Sequence, residues 1–247
     1  MSKAPNQDPS PTGWPQIAQG LEDYLLYLRD EGVREVEAEP EHIKRLADPP
    51  VVPMAAVAEG LAEIAGRIAA CKRCPLHQSR TRTVPGQGST SPEILFIGEG
   101  PGADEDRQGL AFVGRAGQLL TKIIEAMGFT RDQVFIGNIV KCRPPENRTP
   151  LPEEMQACLP YLREQIALLK PKAIVAMGAT AVKGLLDVQA GITRLRGQWM
   201  SYEGIDLMPT FHPAYLLRNP DGKREVWEDM QAVLARLGRT PPPRKRG

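Results

Sequence analysis

Four cysteines, a glutamate in a glycine-rich turn, an asparagine in an apolar run and a histidine before a proline are the side chains here best suited to chemistry. Cys71 and Cys74 stand two residues apart, and Cys142 and Cys158 are separated by fifteen. A C-x2-C pair lets two thiolates grip one centre, and two distant cysteines can complete a tetrahedral set. Spacing alone leaves zinc, an iron–sulfur cluster and four unrelated buried thiols open. His77 reads either as a spare zinc ligand or as a lone surface histidine. Glu99 lies inside Gly98-Glu-Gly-Pro-Gly102, where glycine permits positive φ or close approach of a ligand to the backbone. Asn138 interrupts the apolar run Phe135–Val140, and a buried amide must find partners. These are either structural or part of a ligand. His212 precedes Pro213, which holds it in an extended or turn conformation. Tyr215 and Leu216 follow as expected surface side chains.

The elements that must hold these groups alternate in kind. Ile94-Leu95-Phe96-Ile97 is a short buried strand bounded by glycine, and further strands are expected at 134–140, 173–177 and 205–211. Helices are expected at 117–127, 152–169, 179–186 and 224–237, with Gly128 stopping the first and Pro152, Glu153 and Glu154 opening the second. An earlier helix carries Val57, Leu61, Ile64 and Ile68 into Cys71. Alternation of strand and helix predicts an α/β fold with a parallel sheet covered on both faces. Ligands of such sheets sit at the carboxyl ends of the strands, where the Gly98–Gly102 turn lies. The glycine spacing G-x-G-x-G, broken by Pro101, is not the dinucleotide fingerprint.

Composition narrows the class. Residues 1–60 hold five basic and eleven acidic side chains, net −6, whereas residues 61–247 hold 26 and 19, net +7. The larger part therefore favours a polyanion. No apolar run reaches membrane-spanning length and no signal peptide is apparent, so a cytoplasmic protein with no membrane association is expected. In a reducing compartment the cysteines are metal or cluster ligands sooner than disulfides. Met1–Pro15 is polar and proline-rich and is read as disordered, Ile17 to Leu28 recur at helical spacing up to Gly32, and 34–53 reads as a linker. The expected organisation is an extension over 1–56, a catalytic domain over 57–238 and a disordered basic tail over 239–247.

The Gly98–Gly102 turn, Gly109–Gly114 with Phe112, Asn138-Ile-Val-Lys-Cys-Arg-Pro-Pro145 with Asn147-Arg148, and His212-Pro-x-Tyr-Leu-Leu-Arg-Asn-Pro220 occur in one order. Together with the cysteine positions they resemble the family 4 uracil-DNA glycosylases over about Ile64–Leu237. Ala111 departs from the proline common before the aromatic, and the basic insert of the DNA-crosslinking relatives is absent after Arg148. The resemblance implies a central four-stranded parallel sheet flanked by helices, one 4Fe-4S cluster on Cys71, Cys74, Cys142 and Cys158, and hydrolysis of the uracil N-glycosidic bond to leave an abasic site. It implies Glu99 acting on the hydrolytic water, and His212 on uracil O2. Phe112 stacks on the base, Asn138 reads its edge, and Gly98, Gly100 and Gly102 line the site. Leu216, or alternatively Tyr215, is the wedge, and Arg218 contacts the backbone. The implied partner is uracil-containing DNA, single- or double-stranded, met by a monomer, with residues 1–56 available to a repair or replication partner. A glycosylase for another deaminated base and a non-catalytic cluster-bearing DNA-binding module are the alternatives.

Overall fold

The computed structural model describes residues 23–33, 53–186 and 188–243, in two units, Met1–Val51 and Val52–Gly247. In the first unit a helix runs over residues 23–30 and ends where Gly32 takes φ +85°. Its expected start, and the segments expected to be disordered before it and a linker after it, lie outside the described residues.

The second unit is built on one sheet. Strands β1 (Gln87–Gly88), β2 (Ile94–Gly98), β3 (Phe135–Asn138), β4 (Ala173–Met177), β5 (Met200–Tyr202) and β6 (Ile205–Thr210) take the order β1-β3-β2-β4-β6-β5. The inner four are parallel, as expected. β1 and β5 add short antiparallel edges that neither length nor alternation announced.

Every residue of β2 and β4 is buried, because helices cover both faces. Ile94 and Phe96 pack with α3 (Arg115–Ala126) and α8 (Gly222–Arg236), through Leu120, Ile124, Met230 and Val233. Leu95 and Ile97 point the other way, toward α1 (Met54–Ala69), α4 (Pro152–Leu169) and α5 (Ala179–Leu186), through Ile68, Leu162, Ile166 and Val182. The strand period of two divides one run of hydrophobics between two cores. Short helices α2 (Ala103–Gln108), α6 (Ile192–Leu195) and α7 (Pro213–Arg218) complete the unit.

The register places the site. Gly98 pairs with Asn138 across β2 and β3, and Met177 with Thr210 across β4 and β6. Glu99, Gly178 and His212 thus leave the sheet at one edge. The chain leaves β2 for β3 on one side and returns to β4 on the other, so a crevice opens between the ends of β2 and β4. At the expected tail, Arg239 is bonded to Glu93 and its guanidinium lies 5.0 Å from the Phe129 ring centre. Residues 244–247 lie outside the described set.

Candidate active site

A cleft of about 510 Å³ opens at this edge, lined by Glu99, Phe112, Asn138, His212, Tyr215 and Arg218 among others. Six residues singled out for chemistry, drawn from four separate segments, therefore meet in one cavity. Its size suits a small ring compound.

Asn138 ends β3 and is 1% exposed, yet its side-chain oxygen Oδ1 accepts no hydrogen bond. A buried unpaired acceptor is costly, about 1–3 kcal/mol. An incoming donor removes that cost. The backbone around it is fully engaged, with Ile139 N–H donating to Gly98 O at 3.0 Å and the Lys141 ammonium donating to Asn138 O at 3.0 Å.

Phe112 lies beside it with φ 53°, a left-handed conformation costly for a non-glycine residue. Side chains on both flanks hold that conformation. Ala111 N–H donates to Gln87 Oε1 at 3.1 Å and Ala111 O accepts from Arg131 at 2.7 Å. On the other flank Glu105 Oε1 accepts from Val113 N–H and Gly114 N–H at 2.8 and 2.9 Å. The ring centre stands 5.6 Å from that of His212.

The same Glu105 takes up the amide of Gly102, which lines the cleft: Gly102 N–H donates to Glu105 Oε2 at 3.1 Å. None of Gly98, Gly100 and Gly102 takes positive φ. They are glycine for want of space. A Cβ on Gly98 would stand 2.5 Å from Phe112 Cζ and 2.6 Å from Asn138 Oδ1, and one on Gly100 would stand 2.7 Å from Val140 Cγ2.

Glu99 faces the cleft from the β2 end, and Thr180 Oγ1, at the start of α5, donates to its Oε2. His212 is extended as expected, with φ −70° and ψ 139°. Pro213 is the first residue of α7, where its missing N–H is not needed. The ring nitrogen Nδ1 accepts from Ala214 N–H at 3.1 Å. Nδ1 is then bare and the ring proton sits on Nε2. Burial, helped by the charge of Arg218, lowers the His212 pKa to about 4. The imidazole is neutral at pH 7 and offers an N–H donor.

The expected wedge is also corrected. Leu216 is 1% exposed and packs in the α3–α8 core, because the face of α7 that carries it turns inward. Tyr215 and Leu217 are the exposed side chains of that helix, at 39% and 40%. Tyr215 lines the cleft and rests on Phe211, ring centres 4.7 Å apart.

A second, smaller cavity is lined by Cys71, Cys74, Cys142 and Cys158, with Arg80 and Lys141 beside them. Arg80 donates to Cys142 Sγ at 3.1 Å and Lys141 N–H to Cys158 Sγ at 3.3 Å. Such donors suit sulfur that carries negative charge. Among the described residues no group of three or more His, Cys, Asp or Glu side chains is set to hold a metal ion. Burial raises the Cys158 pKa to about 11, while Lys141 pulls it back. Binding of a metal centre by Cys158 would therefore release a proton. His77 Nδ1 lies 2.7 Å from the Cys74 carbonyl, a local backbone contact.

Sequence reasoning passed over Glu105, Thr180 and Lys141. Glu105 follows Gly102 by three, the spacing of a capping interaction, and Lys141 is a charge inside an apolar run. Thr180 had no local signal.

The model of the uracil DNA glycosylase superfamily matches residues 85–231. The chain belongs to that superfamily. It is 48% identical over 180 residues to a type-4 uracil-DNA glycosylase of Thermotoga maritima, covering 70% of this chain and 93% of the relative. A type-4 uracil-DNA glycosylase of Sulfurisphaera tokodaii is 44% identical over 184 residues, 71% and 84% of the two chains. One from Pyrobaculum aerophilum is 44% identical over 168 residues, 65% and 86%. Among the described residues of this superfamily member, no helix is long and apolar enough to cross a membrane.

Proposed function

We propose that this protein is a DNA repair glycosylase that hydrolyses the N-glycosidic bond of uracil in DNA and leaves an abasic site. The observation that carries the reading is the buried, unpartnered Asn138 Oδ1 facing a cleft of base size. A base inside a duplex is out of reach, so it must leave the stack and enter such a pocket. There Phe112 stacks on the ring. Asn138 accepts from uracil N3–H and donates to O4; cytosine presents the reverse pattern.

Glu99, held by Thr180, orients the attacking water and stabilises positive charge developing at C1′. As the N1–C1′ bond breaks, the electron pair leaves with the base. His212 Nε2–H meets the charge gathering on O2, a donor aimed where charge develops in the transition state. Water adds at C1′, giving the abasic sugar and free uracil. Tyr215 and Leu217 are the exposed side chains available to fill the vacated stack, and Arg218 faces the backbone. The enzyme acts as a monomer in this reading.

Cys71, Cys74, Cys142 and Cys158 would hold a 4Fe-4S cluster, which when bound would clip the segment after α1 and the segment after β3 to α4. Arg80 and the Lys141 amide donate to the cysteine sulfurs of Cys142 and Cys158. The four-thiol lining of one cavity and the two N–H···S contacts support this reading.

Release of uracil from single- and double-stranded oligonucleotides is the test, with Asn138→Asp as the decisive variant. The aspartate replaces the amide donor with an acceptor. It is expected to lose most uracil excision and to gain weak cytosine excision. A folded, iron-loaded Asn138→Asp protein as fast as its parent on uracil would remove Asn138 from the reading role.

A further inference from the structure

Lys141 has no part in the chemistry above, yet it is fully buried. Its ammonium donates to Asn138 O at 3.0 Å and to Gln165 Oε1 at 2.7 Å. Gln165 in turn donates to Pro85 O at 2.9 Å. Among the described residues no carboxylate pairs with this lysine. Two neutral partners do not compensate a buried cation, which needs opposite charge nearby.

The surroundings supply that charge when the cysteine centre is loaded. Lys141 lines the cysteine cavity, is bonded through its backbone N–H to Cys158 Sγ at 3.3 Å, and precedes Cys142. Gln165 lies seven residues beyond Cys158 on α4, two turns along the same face. Four thiolates outweigh the positive charge of an iron–sulfur core, so the loaded centre is anionic. While the Lys141 backbone meets Cys158, its side chain reaches the strand that carries Asn138.

We propose that Lys141 is a positioning residue that couples the four-cysteine centre to Asn138. The anionic centre keeps the ammonium in place, and the ammonium grips the Asn138 carbonyl and so sets where its amide points in the cleft. The proposal rests on Asn138 as the reader of the base.

Lys141→Met in the iron-loaded full chain removes the charge and both hydrogen bonds while keeping most of the volume. Three quantities are measured: inhibition by free uracil, affinity for DNA that already contains an abasic site, and the rate of iron loss to a chelator. Losing a charge-assisted bond should raise the uracil inhibition constant about tenfold or more. Affinity for abasic-site DNA, which offers no base to Asn138, should stay within about twofold of the parent. Iron should leave several-fold faster, about threefold or more, once the neighbouring cation is gone.

In an Asn138→Ala background, Lys141→Met should add less than about twofold to the uracil inhibition constant, since residues acting together are not additive. If Asn138→Ala weakens uracil inhibition and Lys141→Met leaves it unchanged, the proposal is overturned and Asn138 remains the reader. If Asn138→Ala itself leaves uracil inhibition intact, the reading of Asn138 fails and the proposal with it. Weaker uracil binding with unaltered iron loss overturns the coupling to the centre. Equal losses of uracil and abasic-site affinity overturn the positioning role in favour of general support of the fold. Should Lys141→Met not fold, Gln165→Leu withdraws the other partner of the ammonium, and unchanged uracil inhibition in that variant overturns the proposal.

Discussion

Replacing Gly98 by alanine adds one methyl group at the tightest point of the site. The new Cβ would stand 2.5 Å from Phe112 Cζ and 2.6 Å from Asn138 Oδ1. Carbon atoms in good contact are about 3.5–4.0 Å apart, so the ring must retreat by roughly 1 Å, and the amide by a similar amount. Neither yields easily. The Phe112 backbone is held at φ 53° by the bonds from Gln87, Arg131 and Glu105 on its flanks, and Asn138 is the register partner of Gly98 itself. Gly98 does not use positive φ, so the backbone accepts alanine and the cost falls on the two side chains. Overpacking of this kind costs about 1–3 kcal/mol of stability, a fall in Tm of roughly 2–4 °C per kcal/mol for a chain this size. The effect on catalysis should be larger, because a misplacement of about 1 Å costs on the order of 100-fold in rate. Single-turnover uracil release from a single-stranded oligonucleotide measures it, with thermal unfolding alongside. Gly191→Ala, which meets nothing within 4 Å, is the control and should match the parent. A folded Gly98→Ala enzyme within about threefold of the parent, well short of the loss a 1 Å shift brings, would refute the steric argument. It would also mean that Phe112 and Asn138 need not sit where they do.

Leu216→Ala, at a site 1% exposed, should cost about 2–5 kcal/mol in chemical denaturation. Tyr215→Ala should keep stability and slow uracil release from duplex more than from single strands; a stable Leu216→Ala protein with that duplex-selective loss would return the wedge role to Leu216. His212, with its pKa lowered to about 4, should show no change of charge between about pH 5.5 and 8 by NMR, against an ordinary value near 6.5. Between those two values the unfolded chain binds the extra proton, so stability rises with pH there. The contribution is complete above about pH 6.5 and is lost as pH falls toward 4, up to about 3 kcal/mol. Denaturant unfolding of His212→Gln should show a shallower pH slope than the parent over that window, and equal slopes would contradict it. Cys158→Ser should lose iron and stability together, checked by metal analysis and thermal unfolding. Stoichiometric zinc without iron, in the parent made anaerobically with ample iron, would contradict the cluster.

Much of the frame could be read without coordinates. The expected helices at 152–169 and 179–186 match Pro152–Leu169 and Ala179–Leu186, because proline, first-turn acids and the 3.6-residue period are local signals. The four parallel strands were legible for the same reason, as short apolar runs between glycines and helices. So were Glu99, Phe112, Asn138 and His212, whose residue types are unusual for strand ends and tight loops. What the chain alone could not settle depends on partners distant in sequence or on which way a short helix turns. Glu105 turns out to organise two loops and to occupy the Gly102 amide. Thr180 meets Glu99 across 81 positions. Lys141 finds Gln165 only because α4 lies against the end of β3. The resemblance implied Leu216 as the wedge, but α7 turns it into the core and leaves Tyr215 and Leu217 outside. Composition and periodicity act within a few residues and so determined the strands, the helices and the chemical cast. Hydrogen bonds and excluded volume act across the sheet, and only the packed structure decided which glycines are glycine for space, which amide is taken, and which buried acceptor is left unpaired.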